Sequence, residues 1–172
     1  MNKYLPALIC GFGSGVLLAI PFLKNTGCCL IVPGAVILAL FLYKNANKLD
    51  RKILTKEGMM IGLLTGFYAA LFGSSFEILI TFITKSNQIV NSMPEMKDAL
   101  SRIADGELYE QVSSLIEKMV DEIQKTGFSP LYALSVIVNN FVLQTVLGTV
   151  AGLAGIQFVN RKVNNRDDDN FL

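Results

Sequence analysis

The placement of charge constrains this chain more than any other feature of its sequence. Four stretches, Leu5–Leu23, Cys28–Tyr43, Met59–Ile83 and Phe128–Val159, hold 92 of the 172 residues and one charged side chain, Glu77. The other 80 residues carry the remaining 28 charges. A bilayer's hydrocarbon core of about 30 Å is crossed by about 20 apolar residues in a helix. The pattern therefore predicts an all-α integral membrane four-helix bundle, with crossings over residues 5–23, 28–43, 59–83 and 128–158. Composition agrees with this. Charged residues make up 17% of the chain, against about 25% in soluble domains. The second stretch is the weak one. Its 16 residues reach only about 24 Å as helix, and they contain Pro33-Gly34. Lys24-Asn25-Thr26-Gly27 reads as a turn between the first two segments. Full crossings and a re-entrant hairpin both return the chain to the side on which it began. Asn25 stands where a lipoprotein signal would have an aliphatic residue, and the chain turns apolar again after Cys28, so no cleavage is expected.

Orientation follows from Lys and Arg. Lys3, the short loop Lys44–Gly58 and the tail together carry 9 positive residues on one side, five of them in the loop. Short basic loops stay in the cytoplasm. The sequence thus predicts cytoplasmic termini, with residues 85–127 outside.

That outer stretch contains a predicted amphipathic helical insert over residues 92–126, between the third and fourth crossings. Ser92-Met93-Pro94-Glu95 fits a capping box. Asp105-Gly106 breaks the first helix and can cap a second. The second carries a stripe of Leu108, Val112, Leu115, Ile116, Met119, Val120 and Ile123, and Gly127 ends it. Three roles are open for the insert: covering or pairing subunits of the bundle, lying in the outer headgroup layer, or docking a partner protein. Residues 163–172 read as a disordered polar tail.

Small residues recur at four-residue spacing within the apolar segments. The first has Gly11 and Gly15. The third has Gly58, Gly62 and Gly66, followed by Gly73. The fourth has Gly148 and Gly152. In lipid such faces mark close helix packing. The polar residues Glu77, Asn139, Asn140 and Gln144 lie in the same segments. An intramembrane carboxylate is costly unless paired or protonated. For Glu77, hydrogen bonding to Asn139, Asn140 or Gln144, ion or proton handling, and simple reach to the outer interface are all open readings.

The sequence contains no His, which removes His-based catalysis and metal ligation. Cys10, Cys28 and Cys29 have no CxxC spacing and read as packing residues. No phosphate-binding loop, nucleophile elbow or paired catalytic carboxylates are present. No catalytic residue, metal or cofactor is therefore expected, and a net charge of +1 gives no reason to expect nucleic acid. The expected partners are the lipid bilayer and either further copies of the chain or a membrane protein complex.

The stretches Gly58–Gly66, Pro94–Lys125 and Gly148–Lys162, with Cys28-Cys29-Leu30, resemble an uncharacterised family of small four-pass bacterial membrane proteins, a domain of unknown function. The resemblance implies a bacterial-type inner membrane and brings no activity to carry over. The leading expectation is a structural or accessory membrane subunit and not an enzyme. The alternative is a small channel or transporter with a polar path near Glu77, Asn140 and Gln144.

Overall fold

The computed structural model describes residues 4–47, 51–104 and 106–168, and the side chains of these except 21–28, 88 and 161–168. Among the described residues the fold is all-helical, with seven helices and no strand: α1 (Leu5–Leu18), α2 (Pro21–Ala46), α3 (Thr55–Thr84), α4 (Gln88–Asn91), α5 (Met93–Ile103), α6 (Glu107–Thr126) and α7 (Pro130–Asp168). Three of them are long and apolar enough to cross a membrane: α2 over Cys29–Ala46, α3 over Thr55–Thr84 and α7 over Pro130–Asn160. The expected first crossing is instead the 14-residue α1, about 21 Å long.

The reason is Pro21. A residue before proline is pushed out of the α region, and Ile20 is extended at φ −78°, ψ 118°. The chain breaks at Ala19-Ile20, and Pro21 opens α2. Lys24–Gly27, read from sequence as the turn, lies inside α2. At the other end of the chain, α7 remains helical to Asp168. The tail expected to be disordered is thus helical over residues 163–168, and 169–172 lie outside the described residues.

The chain divides into two compact units, residues 1–76 with 137–172, and residues 77–136. The first unit contains α1, α2 and the corresponding parts of α3 and α7. Its apolar core includes Ala7 and Cys10 of α1, Val36, Leu40 and Tyr43 of α2, Ile61 of α3, and Ile156 and Val159 of α7. The outward faces are just as apolar. Val138, Val142, Val146 and Val150 form one stripe on α7, each more than half exposed. Leu63, Phe67 and Leu71 form another exposed stripe on α3, each 37–41% exposed. The buried face of α7 carries Asn140, Gln144, Gly148 and Gly152. Polar and small residues inside with valines outside invert the usual soluble pattern, and so large an apolar surface marks a membrane or a partner.

The loop into α3 is pinned on both sides. Asn160 accepts from the Ile53 N–H at 3.0 Å and donates to the Ile53 carbonyl at 3.2 Å. Both main-chain hydrogen-bonding groups of Ile53 are thereby satisfied. Arg51 donates to the two oxygens of Glu57 at 2.9 and 2.7 Å, which raises the already high pKa of its guanidinium. Glu57 also accepts from the Leu54 N–H and the Tyr43 hydroxyl.

The second unit contains the end of α3, α4, α5, α6 and the start of α7. Its core joins Ile123 of α6 to Tyr132 and Val136, with Ile89, Val90 and Met119 packed against them. Ser92 and Pro94 stand at the start of α5 as expected, but Ser92 makes no side-chain cap. Gly106 is the N-cap of α6, and Asp105 lies outside the described residues. Of the expected α6 stripe, Ile116, Val120 and Ile123 are buried, while Leu108 and Leu115 are exposed. Gly127 ends α6 in the left-handed region at φ 82°, and a Cβ there would also meet the Phe82 carbonyl oxygen at 2.5 Å. Lys97 and Glu117 form an ion pair linking α5 to α6.

Candidate functional site

Within the first unit the glycines fall into two groups. A Cβ at Gly11 would meet Tyr68 Cβ at 2.6 Å and the Thr65 carbonyl oxygen at 2.8 Å; one at Gly15 would meet the Gly73 nitrogen at 2.9 Å. On α3, Gly62 faces the Gly148 carbonyl oxygen, Gly66 faces that of Gln144, and Gly58 faces Ile156. On α7, a Cβ at Gly148 would meet the Gly62 carbonyl oxygen at 2.5 Å, and one at Gly152 would meet that of Gly58. Gly62, Gly66, Gly148 and Gly152 make backbone-on-backbone approaches that leave no space for a side chain, whereas Gly58 packs under the Ile156 side chain. Gly73 differs, because a Cβ there would find its neighbours at 3.6–3.7 Å, an ordinary contact.

The polar residues sit beside these glycines. Asn140 is 4% exposed and donates to Ser74 Oγ at 3.1 Å. Gln144 is 3% exposed, and its Oε1 has no hydrogen-bond partner. Asn139 is exposed. A single residue step turns the helix by about 100°, which takes Asn139 off the Asn140–Gln144 face. It therefore does not belong to the buried polar row expected from the sequence.

Glu77 belongs to the second unit, where the Tyr132 hydroxyl donates to its Oε1 at 3.3 Å. Tyr132 is buried, and its hydroxyl also lies 3.3 Å from Thr81 Oγ1. From the sequence Tyr132 reads as an aromatic of the outer interface, and Thr81, one helical turn on from Glu77, reads as ordinary core; neither reading joins them to Glu77.

Among the described residues, no cluster of three or more metal-ligating side chains occurs. Cys10 is buried and Cys29 exposed, both as free thiols, and the side chain of Cys28 is outside the description. The donor set is thus amide, hydroxyl and one carboxylate. Such groups can fix helices or bind a polar solute.

Fold and residues together define a multi-helix chain whose apolar helices are of membrane-crossing length. The chain belongs to the family described as a protein of unknown function (DUF4199), which it matches over residues 6–155. That match takes in all the glycines of the α3–α7 contact, the polar row and the whole insert. No curated protein and no solved structure matches the chain.

Proposed function

We propose that this protein is a non-enzymatic, structural or accessory subunit of an inner-membrane assembly. Four apolar segments lie in the bilayer, both termini are cytoplasmic and residues 85–127 are outside. The observation that supports it best is the meeting of Gly58, Gly62 and Gly66 with Gly148, Gly152 and Ile156. Closing two long helices backbone to backbone builds a rigid, dry seam. The seam lies within one chain, so it is the frame on which an assembly is built and not the contact between its subunits. Leu5 and Ala46 line one hollow, which supports α1 and α2 as a hairpin that begins and ends on one side.

A second reading keeps a specific observation in its favour. Gln144 Oε1 is buried without a protein partner, as a group lining a polar path would be. One experiment separates the two readings. In liposomes, Glu77→Gln and Gln144→Leu should leave ion and solute flux at background, as for the wild type, if the role is structural. Flux by the wild type that either substitution abolishes would establish the transport reading. Purification in mild detergent should recover a homo-oligomer or a co-purifying membrane protein identifiable by mass spectrometry. A strictly monomeric, partner-free protein would contradict the subunit role.

A further inference from the structure

α1 and α2 leave an apolar groove between them. One part, about 370 Å³, is lined by residues including Ile9, Gly13, Ser14, Gly34, Leu38 and Leu42. It adjoins a second hollow of about 340 Å³ that shares Ile9 and Leu42 and ends at Leu5, Pro6, Asn45 and Ala46. Gly13 and Gly34 are unlike the glycines of the α3–α7 seam, because a Cβ at either would meet nothing within 4 Å. The Ser14 hydroxyl is already satisfied by the Gly11 carbonyl at 3.0 Å, so it makes no demand on an occupant.

The groove changes chemistry at one end. Asn45 lies there, and Lys44 precedes it in the sequence. In the sequence Lys3 stands two residues before Leu5, and Lys48 two after Ala46. The distance fits a bilayer leaflet. Gly34 to Asn45 is about 17 Å of helix at ~1.5 Å per residue, and half of a ~30 Å hydrocarbon core is ~15 Å.

We propose that this groove holds one acyl chain of an anionic phospholipid, with its phosphate at the Lys44–Asn45 end. The proposal rests on the membrane placement argued above. Apolar walls over one leaflet's depth match an acyl chain, and the lysines that flank these helix ends in the sequence, Lys3, Lys44 and Lys48, match an anionic headgroup. A second copy of the chain fits less well. Copies related by an axis along the membrane normal would bring their own basic ends together at the same depth.

The test is native mass spectrometry of the full chain in mild detergent, titrated with phosphatidylglycerol or phosphatidylcholine of equal chain length. The wild type should retain one phosphatidylglycerol at least tenfold more tightly than phosphatidylcholine. The double variant Gly13→Leu/Gly34→Leu fills the groove from positions with open space. It should lose that affinity tenfold or more without a fall in its thermal midpoint. Lys44→Gln should instead shrink the preference between the two lipids, and it covers the case in which the leucine variant does not fold. Unchanged phosphatidylglycerol binding in the leucine variant overturns the proposal. So does a loss of self-association with lipid binding intact, which would give the groove to a second copy. A chain that fails to integrate into membranes at all would sink the membrane reading. A well-integrated chain with no groove-dependent lipid sinks only this proposal.

Discussion

Gly62 and Gly73 lie on the same helix and make opposite demands on a substitution. A methyl at Gly62 runs into the Gly148 carbonyl oxygen, whereas one at Gly73 has neighbours at 3.6–3.7 Å. Backbone cannot yield as a flexible side chain can, so Gly62→Ala should destabilise the protein by about 1–3 kcal/mol, the usual range for overpacking. Gly73→Ala should be neutral, or stabilising by up to about 1 kcal/mol through helix propensity. Thermal unfolding in detergent would rank them, and equal effects would show that the seam is not closed as described. The sequence spacing named both residues as one kind of packing position. It could not separate them, because what differs is the distance to another helix. Asn160 was not legible at all. Its value lies in two bonds to the main chain of Ile53, 107 positions away. Asn160→Ala leaves those main-chain groups unpaired, which should cost about 1–3 kcal/mol and speed tryptic cleavage at Arg51 or Lys52. Unaltered cleavage would count against the clamp.

At the level of elements, the uncharged stretches match α3 and the start of α7 within a few residues, because a long apolar run leaves a helix little alternative in lipid, whereas α7 continues past the apolar run to Asp168. The boundary between α1 and α2 was misplaced. Lys24–Gly27 has the composition of a turn, but Ile20-Pro21 imposes a stereochemical break that polarity does not report. The α6 stripe shows a different limit. Seven apolar positions across the helix cover more surface than its neighbours can bury, and only contact with Tyr132 and Val136 selects Ile123 and its flanking residues. Ile123→Ala should therefore cost about 2–5 kcal/mol, while Leu115→Ala, an exposed site, should change stability by about 0.5 kcal/mol or less. Hydrogen exchange gives the more local reading. Ile123→Ala should accelerate exchange across 88–127 and leave the amides around Gly62 and Gly148 protected. Uniform acceleration of both would contradict the division into two compact units.

At the scale of the whole molecule, three helices of membrane-crossing length and the inverted surface of α3 and α7 point to a membrane protein, and the family matched over residues 6–155 brings no chemistry to it. The sequence carried that conclusion through its charge distribution. It could not carry the site, because the residues that meet across helices are fixed by packing and not by spacing. The central claim is the placement of this chain in a bilayer with its basic loop inside and its insert outside. Single cysteines introduced by Lys52→Cys or Ser114→Cys, in a background with Cys10, Cys28 and Cys29 replaced by Ala, test it directly. Both positions are exposed. A membrane-impermeant maleimide applied to spheroplasts should label Ser114→Cys at once and Lys52→Cys only after the membrane is opened. Labelling of Lys52→Cys in sealed spheroplasts, or release of the chain from membranes by alkaline carbonate, would contradict the account.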